Sequence, residues 1–64
     1  MVQTNLQKAR QAAGLTQAEL AKRSGISLRT IQHYEIADKD IRKAAVETVI
    51  ALADAIGCDL NEII

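Results

Sequence analysis

One spacing constrains this chain more than any other feature: Gly14-Leu15-Thr16-Gln17-Ala18-Glu19-Leu20-Ala21, then Lys22-Arg23-Ser24-Gly25-Ile26-Ser27, then Leu28-Arg29-Thr30-Ile31-Gln32-His33-Tyr34-Glu35. Two short stretches of helical periodicity are each opened by a hydroxyl side chain, and a single glycine separates them. Thr16 with Glu19 three residues later forms a capping box. The hydroxyl accepts from a free N–H of the first turn while the carboxylate reaches back to the Thr16 N–H. Leu20 and Ala21 face inward, and Ala18 and Ala21 are small enough to let another helix come close. Lys22 and Arg23 occupy the last turn, where cations suit the helix dipole. Gly25 supplies the positive φ that stops the helix and permits a sharp reversal.

Ser27 opens the second stretch. Ile26 before this cap and Ile31 four residues after it form a hydrophobic staple, and Ile31 with Tyr34 makes the inward stripe. Leu28, Arg29, Gln32 and His33 therefore fall on the outward or N-terminal surface. Such a face is either merely solvated or a reader of base edges and phosphates, because it offers guanidinium, amide and imidazole groups close together. Two short helices meeting at a glycine are the sequence form of a helix-turn-helix, whose second helix is presented to a nucleic-acid groove.

Residues 6–35 resemble the phage repressor/Cro-like helix-turn-helix family, also called the XRE family. There a GLTQ-x-ELA first helix leads through a glycine turn to a recognition helix ending in Ile-x-x-x-Glu. This chain carries Gly14-Leu15-Thr16-Gln17, Glu19-Leu20-Ala21, Gly25, Ile31 and Glu35 in that register. It departs from the pattern at Ala37, where a glycine is expected, and the proline common in the following loop is absent. The resemblance implies an all-α, lambda-repressor-like DNA-binding domain with the helix-turn-helix at helices 2 and 3.

The resemblance also implies roles for single residues. Arg10 and Glu35 would form a partly buried ion pair bracing helix 1 against the end of helix 3, specifying the fold with little net stability. The alternative is two separate solvated charges. Gln17 would contact a phosphate and steady the recognition helix, or act only as a good helix former. His33 matches a position that reads bases in relatives. Lys39, Arg42 and Lys43 would embrace the DNA backbone beyond the groove, or remain solvated loop charges.

The remaining site candidates follow from residue chemistry. Arg29 can reach guanine O6 and N7 in bidentate fashion, a contact worth ~1–3 kcal/mol of discrimination, with a phosphate clamp as the competing role. Leu28 either touches a thymine methyl or packs against helix 2. Gln32 is a further base-contact candidate. Ser27 and Thr30 are candidates for phosphate contact, and the Ser27 hydroxyl can cap the helix as well.

Elsewhere the chain reads as helices and loops. Thr4 with Gln7 suggests a capping box opening a first helix over residues 5–13, with Leu6, Ala9 and Ala13 inward and Gly14 as its stop. Residues 36–44 form a loop of mixed charge with one short turn near its end. Val46, Val49, Ile50, Leu52, Ala53 and Ile56 give a helix of period 3.6 that Gly57 stops. Asp59 and Glu62 are a cap-like pair before a short last helix holding Leu60, Ile63 and Ile64. The expectation is five short helices, no strands, and one helix-turn-helix domain over residues 1–64.

Composition narrows the function. A chain of 64 residues is near the lower limit for folding without disulfides or metal, so its aliphatic residues must form a dense core. The one cysteine, Cys58, cannot form an internal bridge, and its apolar surroundings suit a small buried hydrophobe better than a redox sensor. No His/Cys cluster suggests zinc, no cofactor is implied, and one histidine with no phosphate loop leaves no enzyme-like constellation. No apolar run approaches the ~20 residues of a membrane span, and no signal peptide is visible, so a cytoplasmic protein is expected.

The zero net charge conceals a dipole. Residues 1–34 hold Lys8, Arg10, Lys22, Arg23 and Arg29 against Glu19, a net +4. Residues 35–64 hold Lys39, Arg42 and Lys43 against Glu35, Asp38, Asp40, Glu47, Asp54, Asp59 and Glu62, a net −4. Such a domain can turn one face toward phosphate. The expected function is a double-stranded DNA-binding transcriptional regulator of the repressor type, with helix 3 over residues 28–35 in the major groove. A homodimer through the C-terminal residues Ile56, Leu60, Ile63 and Ile64 would supply paired contacts. The alternative is a protein-interaction module, such as an antitoxin-like partner, built on the same fold.

Overall fold

In the computed structural model, which describes residues 3–36 and 39–64, the chain forms α1 (Asn5–Ala12), α2 (Gln17–Ser24), α3 (Leu28–Glu35) and α4 (Val46–Ile56). Single 3-10 turns stand at Ile41–Lys43 and Leu60–Glu62, and the described residues contain no strand. The architecture is all-α. α2 packs against both α3 and α4, while α1 lies against α3 and the last 3-10 turn.

The first three helices start where local chemistry tells them to. Thr4 Oγ1 accepts from Gln7 N–H at 3.2 Å. Both halves of the Thr16/Glu19 box form: Glu19 N–H donates to Thr16 Oγ1 at 3.0 Å and Thr16 N–H donates to Glu19 Oε1 at 2.9 Å. Ser27 Oγ accepts from Thr30 N–H at 3.1 Å. Each such cap stabilises its helix by ~1 kcal/mol. α4 differs, because it starts at Ala45 with no side-chain cap and depends on packing instead.

Gly25 ends α2 at φ 74°, with its N–H bonded to Ala21 O at 3.0 Å. A Cβ added there would meet no heavy atom within 4 Å. The glycine is therefore required by its left-handed backbone and not by lack of room.

Leu6, Leu15, Leu20, Ile31, Val49, Leu52, Ala53 and Ile63 form the core. Leu6 comes from α1, Leu20 from α2, Ile31 from α3, Leu52 from α4 and Ile63 from beyond it, all close to fully buried. Burying a side chain of this size stabilises by ~1.5–3 kcal/mol relative to leaving it exposed. Ile26 and Tyr34 pack on the rim of this cluster.

Several expectations change. The short last helix is one 3-10 turn, closed by i→i+3 bonds from Glu62 to Asp59 and from Ile63 to Leu60. Four α-helices are therefore described, not five. Ala13 is exposed and serves as the C-cap of α1, because the register of that helix turns Arg10 inward. Val46 and Ile50 are 66% and 41% exposed, since α4 presents Val49, Leu52 and Ala53 to the core and leaves its other side uncovered. Ala18 is exposed as well. Of the four residues expected at a dimer interface, Ile63 is removed: it is 1% exposed and completes the core. Ile56 is half-buried against that core, while Leu60 and Ile64 are exposed. Ala37 lies outside the described residues.

Candidate nucleic-acid interface

Arg10 and Glu35, 8% and 5% exposed, meet in a bidentate pair: Arg10 Nε donates to Glu35 Oε2 at 2.7 Å and Nη2 to Oε1 at 2.9 Å. The third guanidinium nitrogen, Nη1, donates to the Leu15 carbonyl at 2.7 Å. Gln17 Nε2 adds a bond to Glu35 Oε1 at 3.1 Å. One carboxylate at the end of α3 thus ties that helix to α1 and to the start of α2. No buried side-chain nitrogen or oxygen among the described residues is left without a partner, which is the condition for a buried ion pair to be tolerated.

With that end fixed, α3 presents Leu28, Arg29 and Gln32 to solvent, and His33 is half-buried beside them. Leu28 is 40% exposed, so at least part of its side chain is free of helix 2. Thr30 is half-buried, and its hydroxyl shares a 2.8 Å hydrogen bond with that of Ser27. The Ser27 and Thr30 hydroxyls are therefore engaged with the start of α3.

Beyond α3, Lys39, Arg42 and Lys43 are all exposed. Arg42 is not independent: its N–H donates to Asp40 Oδ1 at 2.9 Å and its Nε lies 3.4 Å from the same oxygen. The Arg42 backbone N–H first, and its guanidinium second, hold the Asp40 carboxyl below the usual range. Lys22 and Arg23 are exposed in the last turn of α2. From Ala44 onward the charges are Glu47, Asp54, Asp59 and Glu62, with no base among them. Cys58 belongs to that acidic end, and burial first, then Glu62 and Asp59, pushes its thiol pKa up. Its thiolate is disfavoured.

One residue escaped the sequence reading. Tyr34, assigned only to the inward stripe, lines two clefts at the end of α3. The larger, about 450 Å³, lies between the start of α1, the loop after α3 and the chain end. The smaller, about 250 Å³, is lined by Tyr34, Lys39, Asp40, Lys43 and Ala44. The available signal was that the sole aromatic of the chain sits just ahead of a basic loop.

A capped two-helix corner with an exposed, polar second helix and a basic flank is the architecture of a helix-turn-helix DNA-binding protein. A helix-turn-helix family model matches residues 6–63, and the chain belongs to that family, the Cro/repressor-like XRE group of DNA-binding regulators. No curated protein and no solved structure matches the chain. The family is one of DNA-binding regulatory domains and not of enzymes. No helix among the described residues is long and apolar enough to cross a membrane.

Proposed function

We propose that this chain is a cytoplasmic, sequence-specific transcriptional repressor, a single domain over residues 1–64 that inserts α3 into the major groove of duplex DNA. The observation that carries this reading is the exposed face of α3, where Arg29 and Gln32 stand beside Leu28 and His33 on a helix clamped at its far end by Arg10, Glu35 and Gln17. A rigid helix bearing a guanidinium fork and an amide is suited to base edges. Leu28, Arg29, Gln32 and His33 are assigned to bases. Gln17, Ser27, Thr30, Lys39, Arg42 and Lys43 are assigned to the phosphates that set the register.

Gln17 has the chemistry for two tasks. An amide nitrogen carries two N–H groups, so one can hold Glu35 while the other meets a phosphate. Neutral net charge means weak nonspecific attraction, which favours a homodimer reading two half-sites centred ~34 Å apart. Leu60 and Ile64, both exposed, and the half-buried Ile56 are the residues proposed for that contact.

Selection from a pool of random duplexes at two salt concentrations tests this. Recovery of a short inverted repeat is the expected result. Retention that vanishes with salt and enriches no sequence would leave only nonspecific attraction. That outcome would favour the second reading, a protein-binding module, which the uncovered Val46 and Ile50 on α4 support.

A further inference from the structure

Tyr34 sits at the junction of the core and the basic loop. Its ring packs on the core cluster while the residue as a whole remains half-buried. Its hydroxyl has no hydrogen-bond partner among the described residues, and it is not among the fully buried polar atoms either, so it opens to solvent. The cleft of about 250 Å³ beside it is lined by Lys39 and Lys43, whose side chains are exposed, together with Asp40 and Ala44. The one carboxylate among the described residues lining it, Asp40, is engaged by Arg42 at 2.9 Å from the backbone N–H and 3.4 Å from Nε. What the cleft brings together, among the described residues, is a phenol whose ring is packed on the core and two exposed lysines. That set matches an anion carrying a single charge and several acceptor oxygens.

We propose that Tyr34 donates its hydroxyl to a backbone phosphate of duplex DNA, which lodges in the cleft between Lys39 and Lys43. The inference rests on the DNA-binding reading above and adds a residue to it. Duplex DNA is the occupant because the cleft continues directly from the end of α3, the helix assigned to the groove, and its charge is complementary to the phosphate backbone. Tyr34 is then a positioning residue. Phosphate contacts fix where α3 lies on the duplex and carry no sequence information directly. A rigid neutral donor does this with little loss of side-chain entropy, and the two lysines supply the long-range attraction.

The test is Tyr34→Phe in the full chain, which keeps the packed ring and removes only the hydroxyl. Affinity is measured against the duplex recovered by selection and against a scrambled duplex, over a series of salt concentrations. The expected result is a loss of about 5-fold on both duplexes, equivalent to about 1 kcal/mol for a single hydrogen bond. The ratio between the duplexes, the salt slope and the thermal midpoint should stay at wild-type values, because no charge and no packing are lost. Lys43→Ala, measured in parallel, should lower the salt slope by about one. Equal affinity of Tyr34→Phe and wild type would overturn the proposal, as would a loss confined to one duplex. A fall in the thermal midpoint would show that the hydroxyl serves the fold instead. Should the wild-type chain itself retain neither duplex, the DNA-binding reading fails first and takes this inference with it.

Discussion

Gln17 and Glu35 are joined by a 3.1 Å hydrogen bond from the amide Nε2 to the carboxylate Oε1, which fastens the first residue of α2 to the last residue of α3. The Gly25 turn fixes the near ends of the two helices, and this bond, with Arg10 behind it, fixes the far ends. The angle between α2 and α3 is therefore held at both ends. A reading helix needs that constraint, since a displacement of about 1 Å defeats a bidentate contact.

Arg10→Met should be costly. It leaves the Glu35 carboxylate 5% exposed with only the Gln17 amide to hold it, and removing one partner of a buried pair costs ~3–5 kcal/mol. The double variant Arg10→Met/Glu35→Leu should recover most of this loss, because no charge is left buried. Urea unfolding followed by circular dichroism measures both. A single variant within about 1 kcal/mol of wild type would mean the pair behaves like a surface bridge.

Acid should weaken the fold partly through exposed caps. The Thr16 backbone N–H first, and its hydroxyl second, hold the Glu19 carboxyl below its usual range, and Arg42 does the same for Asp40. A depressed folded pKa gives stability that is present above the unfolded value and lost as pH falls through the folded one. Urea midpoints should therefore fall as the pH drops below the ordinary carboxylate range. Glu19→Gln should make that drop shallower, and an unchanged profile would remove Glu19 from the acid response.

Gly25→Ala isolates backbone strain. The position has φ 74° and open space around a built Cβ, so the cost is the ~1–2 kcal/mol of a left-handed residue without added clash. The thermal midpoint should fall by several degrees, and Gly25→Asn should fall less, because asparagine tolerates this region better. Equal midpoints for Ala and Asn would locate the cost somewhere other than φ.

Arg29→Ala and Lys43→Ala should separate reading from positioning. Both side chains are exposed, one on the face of α3 and the other past the loop. Loss of Arg29 should relax preference at one base pair by ~1–3 kcal/mol. Loss of Lys43 should weaken every sequence alike and flatten the salt dependence. Identical behaviour of the two variants would dissolve the distinction between them.

Elements whose causes lie within a few residues are legible in the chain. Thr4, Thr16 and Ser27 accept from the N–H three residues on, and Gly25 and Gly57 end α2 and α4 in the left-handed region. Caps and stops need no distant partner, so they are written in local spacing. The register of α3 was legible for the same reason: the staple and stripe put Ile31 inside and left Arg29 and Gln32 outside.

Packing of the helices against one another settles what local spacing leaves open. Ile63 and Ile64 are adjacent and nearly identical in chemistry, yet one is 1% and the other 43% exposed. Val46 and Ile50 belong to an apolar period but are left 66% and 41% exposed, because α4 turns Val49, Leu52 and Ala53 to the core instead. Gln17 reaches Glu35 across 18 positions, and Tyr34 comes to line clefts with Lys39 and Lys43. Burial and long-range hydrogen bonds depend on which surfaces the helices bring together. That is set by the packing of the whole core, and no window of a few residues contains it.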